Sequence, residues 1–307
     1  MEFLNLLKLF LLIIFVFLAV AFFTLLERKF LSYIQKRKGP NKLGFKGLLQ
    51  PFSDAIKLFT KEPMVLNMAY QFVYYLSPVA MLLISLLMWF TFPSVLGNFE
   101  ISLSIIFILC CLSFSVYPIL GASWASNSKY SMLGGLRAIA QTISYEVSFA
   151  IIILSLVTLN SSFNLTSFLH FYNQSLTTIS PILAMMWFVS ALAETNRTPF
   201  DFSESESELV SGFNTEYSAS GFILFFLAEY SSMLFMSVLF SVLFIGAQDL
   251  YLKLIFWSLC LINLFIWVRG TLPRMRYDKL MSMAWKIFLP ISISYLILFM
   301  SMKQLLN

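Results

Sequence analysis

The run FLNLLKLFLLIIFVFLAVAFFTLL, residues 3–26, decides the class of this chain. Lys8 is its one charge, and Glu27, Arg28 and Lys29 end it. As a helix it would be about 36 Å long, enough to cross the ~30 Å hydrocarbon layer of a bilayer. No small-residue cleavage site follows it, so it reads as a retained span and not as a signal peptide. Further apolar runs repeat the pattern at roughly 69–92, 101–121, 133–159, 179–195, 219–247, 250–268 and 285–302. The fifth span is short, and the sixth and seventh are joined by a tight turn at Gln248 and Asp249. Of the 307 residues only 11% are charged, against about 25% in a soluble domain. The expected fold is all-α: a single polytopic membrane domain, residues 1–307, of about eight transmembrane helices. Lipid requires a backbone that satisfies its own hydrogen bonds, and helices do so.

Charge gives the orientation. If the first connection lies on the positive side, it shares that side with the third, fifth and last connections. These hold 17 of the 20 lysines and arginines. Only Lys8, Lys253 and Lys303 lie opposite. That asymmetry predicts an even number of spans with both termini on the negative side. The net charge of +5 thus reports membrane orientation and gives no support to nucleic-acid binding.

Within the first connection Gly39 and Pro40 break the chain. Beyond them Phe45, Leu48, Leu49, Phe52, Ile56 and Phe59 recur at helical spacing, with Lys46, Lys57 and Lys61 among the other positions. This pattern predicts an amphipathic helix lying in the interface, kinked at Pro51. Such a helix either anchors the connection or borders a lateral gate for a lipid-soluble molecule.

Between the fifth and sixth spans lies LAETNRTPFDFSESESELVSGFNTEYS, residues 192–218. It carries six of the chain's fifteen carboxylates, Glu194, Asp201, Glu204, Glu206, Glu208 and Glu216, against one cation, Arg197. Mutual repulsion and partial desolvation raise carboxylate pKa values, so some of these groups should be poised to take up protons. The stretch is a solvated acidic loop on one reading. Its interleaved Pro199, Phe200, Phe202, Leu209, Val210 and Phe213 favour a packed, functional loop. It shares the positive side with the basic first and last inner connections, which suggests packing among them or a shared polar cavity.

Ionisable residues inside spans default to functional hypotheses. Glu146 falls about 12 residues into the fourth span and Glu229 about 10 into the sixth, depths of roughly 18 and 15 Å. No cation lies at matching depth in the spans. Glu27 and Glu194 sit at inner ends. Tyr145 and Tyr230 adjoin the two deep acids and are candidate donors to them. The acids form a graded series from loop to midplane, as a water-linked proton path needs. Pro78, Pro118, Gly121, Gly134, Gly135, Pro181 and Pro290 are expected to break spans, and broken membrane helices border cavities.

Several chemistries have no support. Cys110, Cys111 and Cys260 form no CxxC motif, so this chain offers no iron–sulfur or zinc ligand set. His170 is the only histidine, which removes a membrane cytochrome with paired haem ligands. Neither a Walker A pattern nor GxGxxG occurs.

Several long stretches carry a family resemblance: LLERKFLSYIQKRKGPNKLG (25–44), LLQPFSDAIKLFTKEP (48–63), WASNSKYSMLGGLRAIAQTISYEVS (124–148), LAETNRTPFDF (192–202), ESELVSGFNTEYS (206–218) and RGTLPRMRYDKLM (269–281). In these the chain closely resembles the subunit 1 family of mitochondrial NADH–ubiquinone oxidoreductase, complex I. The resemblance implies a heel subunit of the membrane arm, in the mitochondrial inner membrane. It would dock on the hydrophilic arm and adjoin antiporter-like membrane subunits. Ubiquinone would be the substrate. NADH, FMN and iron–sulfur clusters would belong to partner subunits, and this chain would bind no cofactor or metal.

By position, the family's acids fall on Glu27, Glu62, Glu146, Glu194, Asp201, Glu204, Glu206, Glu208, Glu216 and Glu229, and its chamber arginines on Arg28, Arg37, Arg137, Arg197 and Arg274. The expected quinone chamber comprises Arg28, Arg37, Phe52, Asp54, Arg197, Asp201, Glu204, Glu206 and Arg274. The expected proton path comprises Glu27, Glu146, Glu194, Glu208, Glu216 and Glu229 with Tyr145 and Tyr230. One departure is Ser205, where the family usually has glycine between two acids; the backbone freedom of glycine is lost there. The rival functions are a stand-alone proton-coupled carrier and the membrane anchor of a related hydrogenase complex. Against the carrier, no repeat relates the halves of the chain.

Overall fold

The computed structural model describes residues 2–64, 67–92, 101–171, 176–202, 211–246 and 251–306. Every expected span coincides with a helix. They are α1 (Glu2–Ile34), α3 (Gln71–Trp89), α4 (Ser104–Ala125), α5 (Lys129–Asn160), α8 (Pro181–Glu194), α9 (Ala219–Phe240), α10 (Tyr251–Thr271) and α12 (Leu289–Leu306). Shorter helices are α2 (Gln50–Phe59), α6 (Leu165–Phe171), α7 (Leu176–Ile179) and α11 (Tyr277–Met283). Among the described residues there is no strand. Among the described residues seven helical segments are long and apolar enough to cross a bilayer, and α8, of 14 residues, is the short eighth. At about 21 Å it falls short of the hydrocarbon thickness, and α7 directly before it extends the apolar stretch. Exposed Phe10, Phe15, Phe72, Leu252 and Ile297 give the bundle an apolar outer face suited to lipid. The expected turn at Gln248 and Asp249 lies outside the described residues.

Helix α1 runs on to Ile34, eight residues past the end of its apolar run. Leu31 and Ile34 pack beside Gly270 of α10 there. α5 packs against α4, α8 and α12, and α9 against α1, α3, α8 and α10; α2 lies across α1 and α9. These two central helices are the most buried of the long ones, and each carries one of the deep acids.

Proline and glycine act differently from the expectation. Pro51 does not kink α2; it opens it, as suits a residue with no N–H to donate. Pro78 and Pro118 lie inside continuous helices. At Pro78 the freed carbonyl of Tyr74 accepts the hydroxyl of Tyr217 at 3.3 Å, which replaces the missing backbone donor. Pro181 starts α8. Before Pro290 the helix widens into a π turn over Ala284–Phe288 that accommodates the proline ring. Gly121, Gly134 and Gly135 also sit within helices. Gly134 serves close packing, because a β-carbon there would lie 2.8 Å from the α-carbon of Gly212.

Candidate functional site

The way α8 ends builds the centre of the site. Asn196 takes a left-handed conformation, φ +50°, and donates its N–H to the Ala193 carbonyl at 3.3 Å. Arg197 N–H donates to the Leu192 carbonyl at 3.1 Å. This pair of bonds caps the helix, and asparagine tolerates the left-handed position better than most residues. The turn folds the chain back into the bundle, so Thr195, Asn196, Arg197, Phe200 and Phe202 are all buried. A loop buried in a membrane protein must find partners for its backbone. Gln141 of α5 supplies two, donating to the carbonyls of Ala193 at 2.7 Å and Phe200 at 2.8 Å. Met275 N–H of the last inner connection donates to the Pro199 carbonyl at 3.0 Å, and Arg274 pairs with Asp201 at 3.3 Å.

Arg197 is therefore held inside the protein. Its guanidinium lies 4.3 Å from the centre of the Tyr230 ring and 3.8 Å from the Glu229 carboxylate. This corrects the expectation of no matching cation for Glu229, one of the two deep acids. Hydrogen bonding also differs from the expectation. Tyr230 donates to Glu27 at 2.6 Å, and Tyr145 donates to the Leu280 carbonyl at 3.2 Å; neither hydroxyl bonds the adjoining acid. Consecutive helical residues point about 100° apart, so chain neighbours on a helix seldom meet. Glu27 also pairs with Arg269. A line of contacts thus runs Arg269, Glu27, Tyr230, Arg197, Glu229.

Two cavities border this line, one lined by Glu27, Tyr230 and Arg269 and the other by Glu229. The larger, about 450 Å³, lies between α1, α2, α9 and α10. Apolar Leu31, Leu58, Phe222, Phe226 and Leu227 line it, together with Glu27, Arg28, Asp54, Tyr230 and Arg269. Arg28 and Asp54 pair at 2.5 Å, and Gln50 donates to Asp54 at 2.9 Å. The smaller, about 40 Å³, is lined by Glu194, Asn196, Glu229, Thr142, Ser115 and Ser232 among others. That volume accommodates a few waters. Glu146 on α5 lies close enough to Glu194 to act on it electrostatically.

The remaining candidates are dispersed. Phe52 packs edge-on against Phe22 at 6.0 Å, and its neighbours Pro51, Asp54, Ala55 and Leu58 form the cavity wall instead. Arg37 is exposed and donates to Gln35. Glu62 is exposed, and Arg137 is half-buried. The Glu216 carbonyl accepts the Tyr74 hydroxyl at 2.7 Å. Glu204, Glu206 and Glu208 lie outside the described residues, as does Ser205. Among the described residues no group of three His, Cys, Asp or Glu could hold a metal ion. Sequence reading missed Gln141, Asn196 and the pairing of Arg269 with Glu27. The last left a signal, since both residues lie at the inner ends of their spans.

The NADH dehydrogenase family model matches residues 7–300. A mosquito protein from Aedes aegypti, NADH-ubiquinone oxidoreductase chain 1, is 57% identical over 95% of this chain and 94% of its own length. The protein of the same name from Locusta migratoria is 55% identical over 98% and 96%. That from Balaenoptera physalus is 50% identical over 91% and 90%. Matches of this extent and identity leave no large part of the chain outside the resemblance, and the chain belongs to the NADH dehydrogenase family, among relatives named NADH-ubiquinone oxidoreductase chain 1.

Proposed function

We propose that the chain is the membrane subunit of a proton-translocating NADH:ubiquinone oxidoreductase, forming much of the quinone chamber and linking quinone reduction to proton movement through buried carboxylates. One observation carries this reading. Glu229 and Tyr230, consecutive on α9, line different cavities, and Arg197 touches both.

The larger cavity has the volume of a small-molecule site and a mostly apolar wall with a few polar groups in it. It suits an isoprenoid tail and a polar head. The interfacial α2 forms part of its wall, so a lipid-soluble molecule would enter from the bilayer beside α1 and α2. Reduction of a quinone to a quinol takes up two electrons and two protons. Electrons would arrive from an iron–sulfur cluster of the hydrophilic arm, where NADH and FMN also belong, and this chain would hold no redox cofactor.

Charge change near Glu27 and Tyr230 acts on Arg197 through the ring it covers. Arg197 in turn sets the field at Glu229, and low dielectric makes such coupling large. A proton bound at Glu229 or Glu194 can then pass toward Glu146 and the antiporter-like subunits. Residence is the mitochondrial inner membrane, with both termini on the intermembrane-space side. The test is Glu229→Gln in the assembled complex, which keeps size and hydrogen bonding but removes the titrating charge. Turnover and proton translocation should both fall while assembly stays intact. Normal pumping by that variant would sink the proposal.

A further inference from the structure

We infer that Asn196 holds a water molecule in the smaller cavity and so joins Glu194 to Glu229. The inference rests on the proton-path reading above and names the residue that makes it continuous. Asn196 is buried, 7% exposed, and lines that cavity between the two acids' helices. Its backbone groups serve the cap of α8, with the N–H on the Ala193 carbonyl. Its side-chain oxygen Oδ1 is fully buried and has no hydrogen-bond partner in the protein.

Burying an unpaired carbonyl oxygen is costly, and native proteins seldom tolerate it without a water. The surroundings meet what a buried water needs: room for more than one molecule, and two to four polar partners. Glu194, Glu229, Thr142, Ser115 and Ser232 line the same cavity, and the three hydroxyls, whose protons go to carbonyls of their own helices, keep their oxygens as acceptors. A water donating to Oδ1 has a second hydrogen and two lone pairs left for the carboxyl groups. A carboxylic acid at one end can give its proton to the water chain as the chain delivers one to the carboxylate at the other. No water is consumed and no net charge is created.

A purely structural account of Asn196 also exists, because the left-handed cap favours asparagine or glycine over other residues. The two accounts separate in Asn196→Gly. Glycine serves the cap at least as well, so the variant keeps the fold, but it lacks the carbonyl. The experiment compares Asn196→Gly and Glu229→Gln in assembled complex, measuring NADH oxidation, proton translocation and the ratio of rates in H2O and D2O. With Asn196→Gly, assembly should be normal, turnover and pumping should fall about five-fold, the worth of one hydrogen bond in a barrier, and the solvent isotope effect should rise. If Asn196→Gly pumps normally while Glu229→Gln does not, the water site is refuted and the proton path survives. If both pump normally, the path itself is wrong, and the water site with it. Failure of Asn196→Gly to assemble would show that the side chain is needed for the fold and would also overturn the inference.

Discussion

Arg197 lies over the face of Tyr230, 4.3 Å from the ring centre, and from there reaches Glu229 at 3.8 Å. Guanidinium suits this double task because it is planar, stacks on rings and keeps its charge when buried. A desolvated cation–π contact is worth about 2 kcal/mol. Lysine would keep the charge but lose the stacking geometry. Arg197→Lys is expected to destabilise the site by about 1–2 kcal/mol and to lower turnover. Arg197→Met should be worse, since removing one member of a buried ion pair costs about 3–5 kcal/mol. Adding Glu229→Gln to Arg197→Met should recover part of that loss. Thermal stability of the purified complex measures each variant; full additivity of the double variant would show that the pair is not coupled.

A second prediction concerns entry to the larger cavity. Ala55 lines its wall on α2, whereas Phe52 leans away onto Phe22. Ala55→Trp should therefore fill the mouth where changes at Phe52 do not. We expect the apparent KM for a long-tailed quinone to rise about ten-fold, the equivalent of about 1.4 kcal/mol, with a short-tailed quinone much less affected. Equal losses with both quinones would count against passage beside α2.

Much of the fold was legible because lipid leaves few options: each apolar run of sufficient length becomes a helix, and the short fifth run becomes the short α8. What the runs do not contain is where helices stop. α1 continues through Glu27, Arg28 and Lys29 because charged residues outside lipid are good helix formers, so hydropathy ends before the helix does. Pro78 stays inside α3 because Tyr217, distant in sequence, satisfies the carbonyl that the proline frees. Glu229 stood out in the sequence by its depth and Glu27 by its place at an inner end, but their partners were not legible there. Arg197 reaches Glu229 only because Asn196 turns the chain inward, and that turn is a matter of two backbone hydrogen bonds.

Tyr217 offers a test in the alkaline range. It lies outside the spans, stacked on Tyr74 at 4.4 Å and hydrogen-bonded to Ser77 at 3.0 Å. Burial pushes its phenol well above the usual value of about 10, with the Tyr74 phenol adding to the shift and the Ser77 hydrogen bond opposing it. The folded state thus holds this proton more tightly than the unfolded chain does. Stability from this group is complete below pH ~10 and is lost as pH rises above it, where the unfolded chain binds fewer protons. Tyr217→Phe should cost about 1–2 kcal/mol near pH 8 through the lost hydrogen bonds, and its stability should fall less between pH 9 and 11. An unchanged alkaline slope would show that Tyr217 does not ionise on unfolding.

The two ion pairs bordering the larger cavity should differ sharply in worth. Arg28 and Asp54 are side chains 55% and 31% exposed, whereas Glu27 is buried and receives both Arg269 and the Tyr230 hydroxyl. An exposed pair gains little, since water screens the attraction and long side chains lose freedom in making it. A buried carboxylate held by a cation and a phenol cannot lose its charge cheaply, because both partners then keep donors with nothing ionised to receive them. Asp54→Asn should change the stability of the complex by less than about 1 kcal/mol. Glu27→Gln should cost about 3 kcal/mol. It should also lower turnover, because Tyr230 would no longer be fixed by a charged acceptor beneath Arg197. Raising the salt concentration should erase the small Asp54 effect and leave the Glu27 effect in place, since buried pairs are screened far less. The measurement is the unfolding temperature of both variants across a salt series, alongside NADH oxidation. Should the two variants lose equal stability, or should salt abolish the Glu27 effect, the line of contacts from Arg269 to Glu229 would not hold together as drawn.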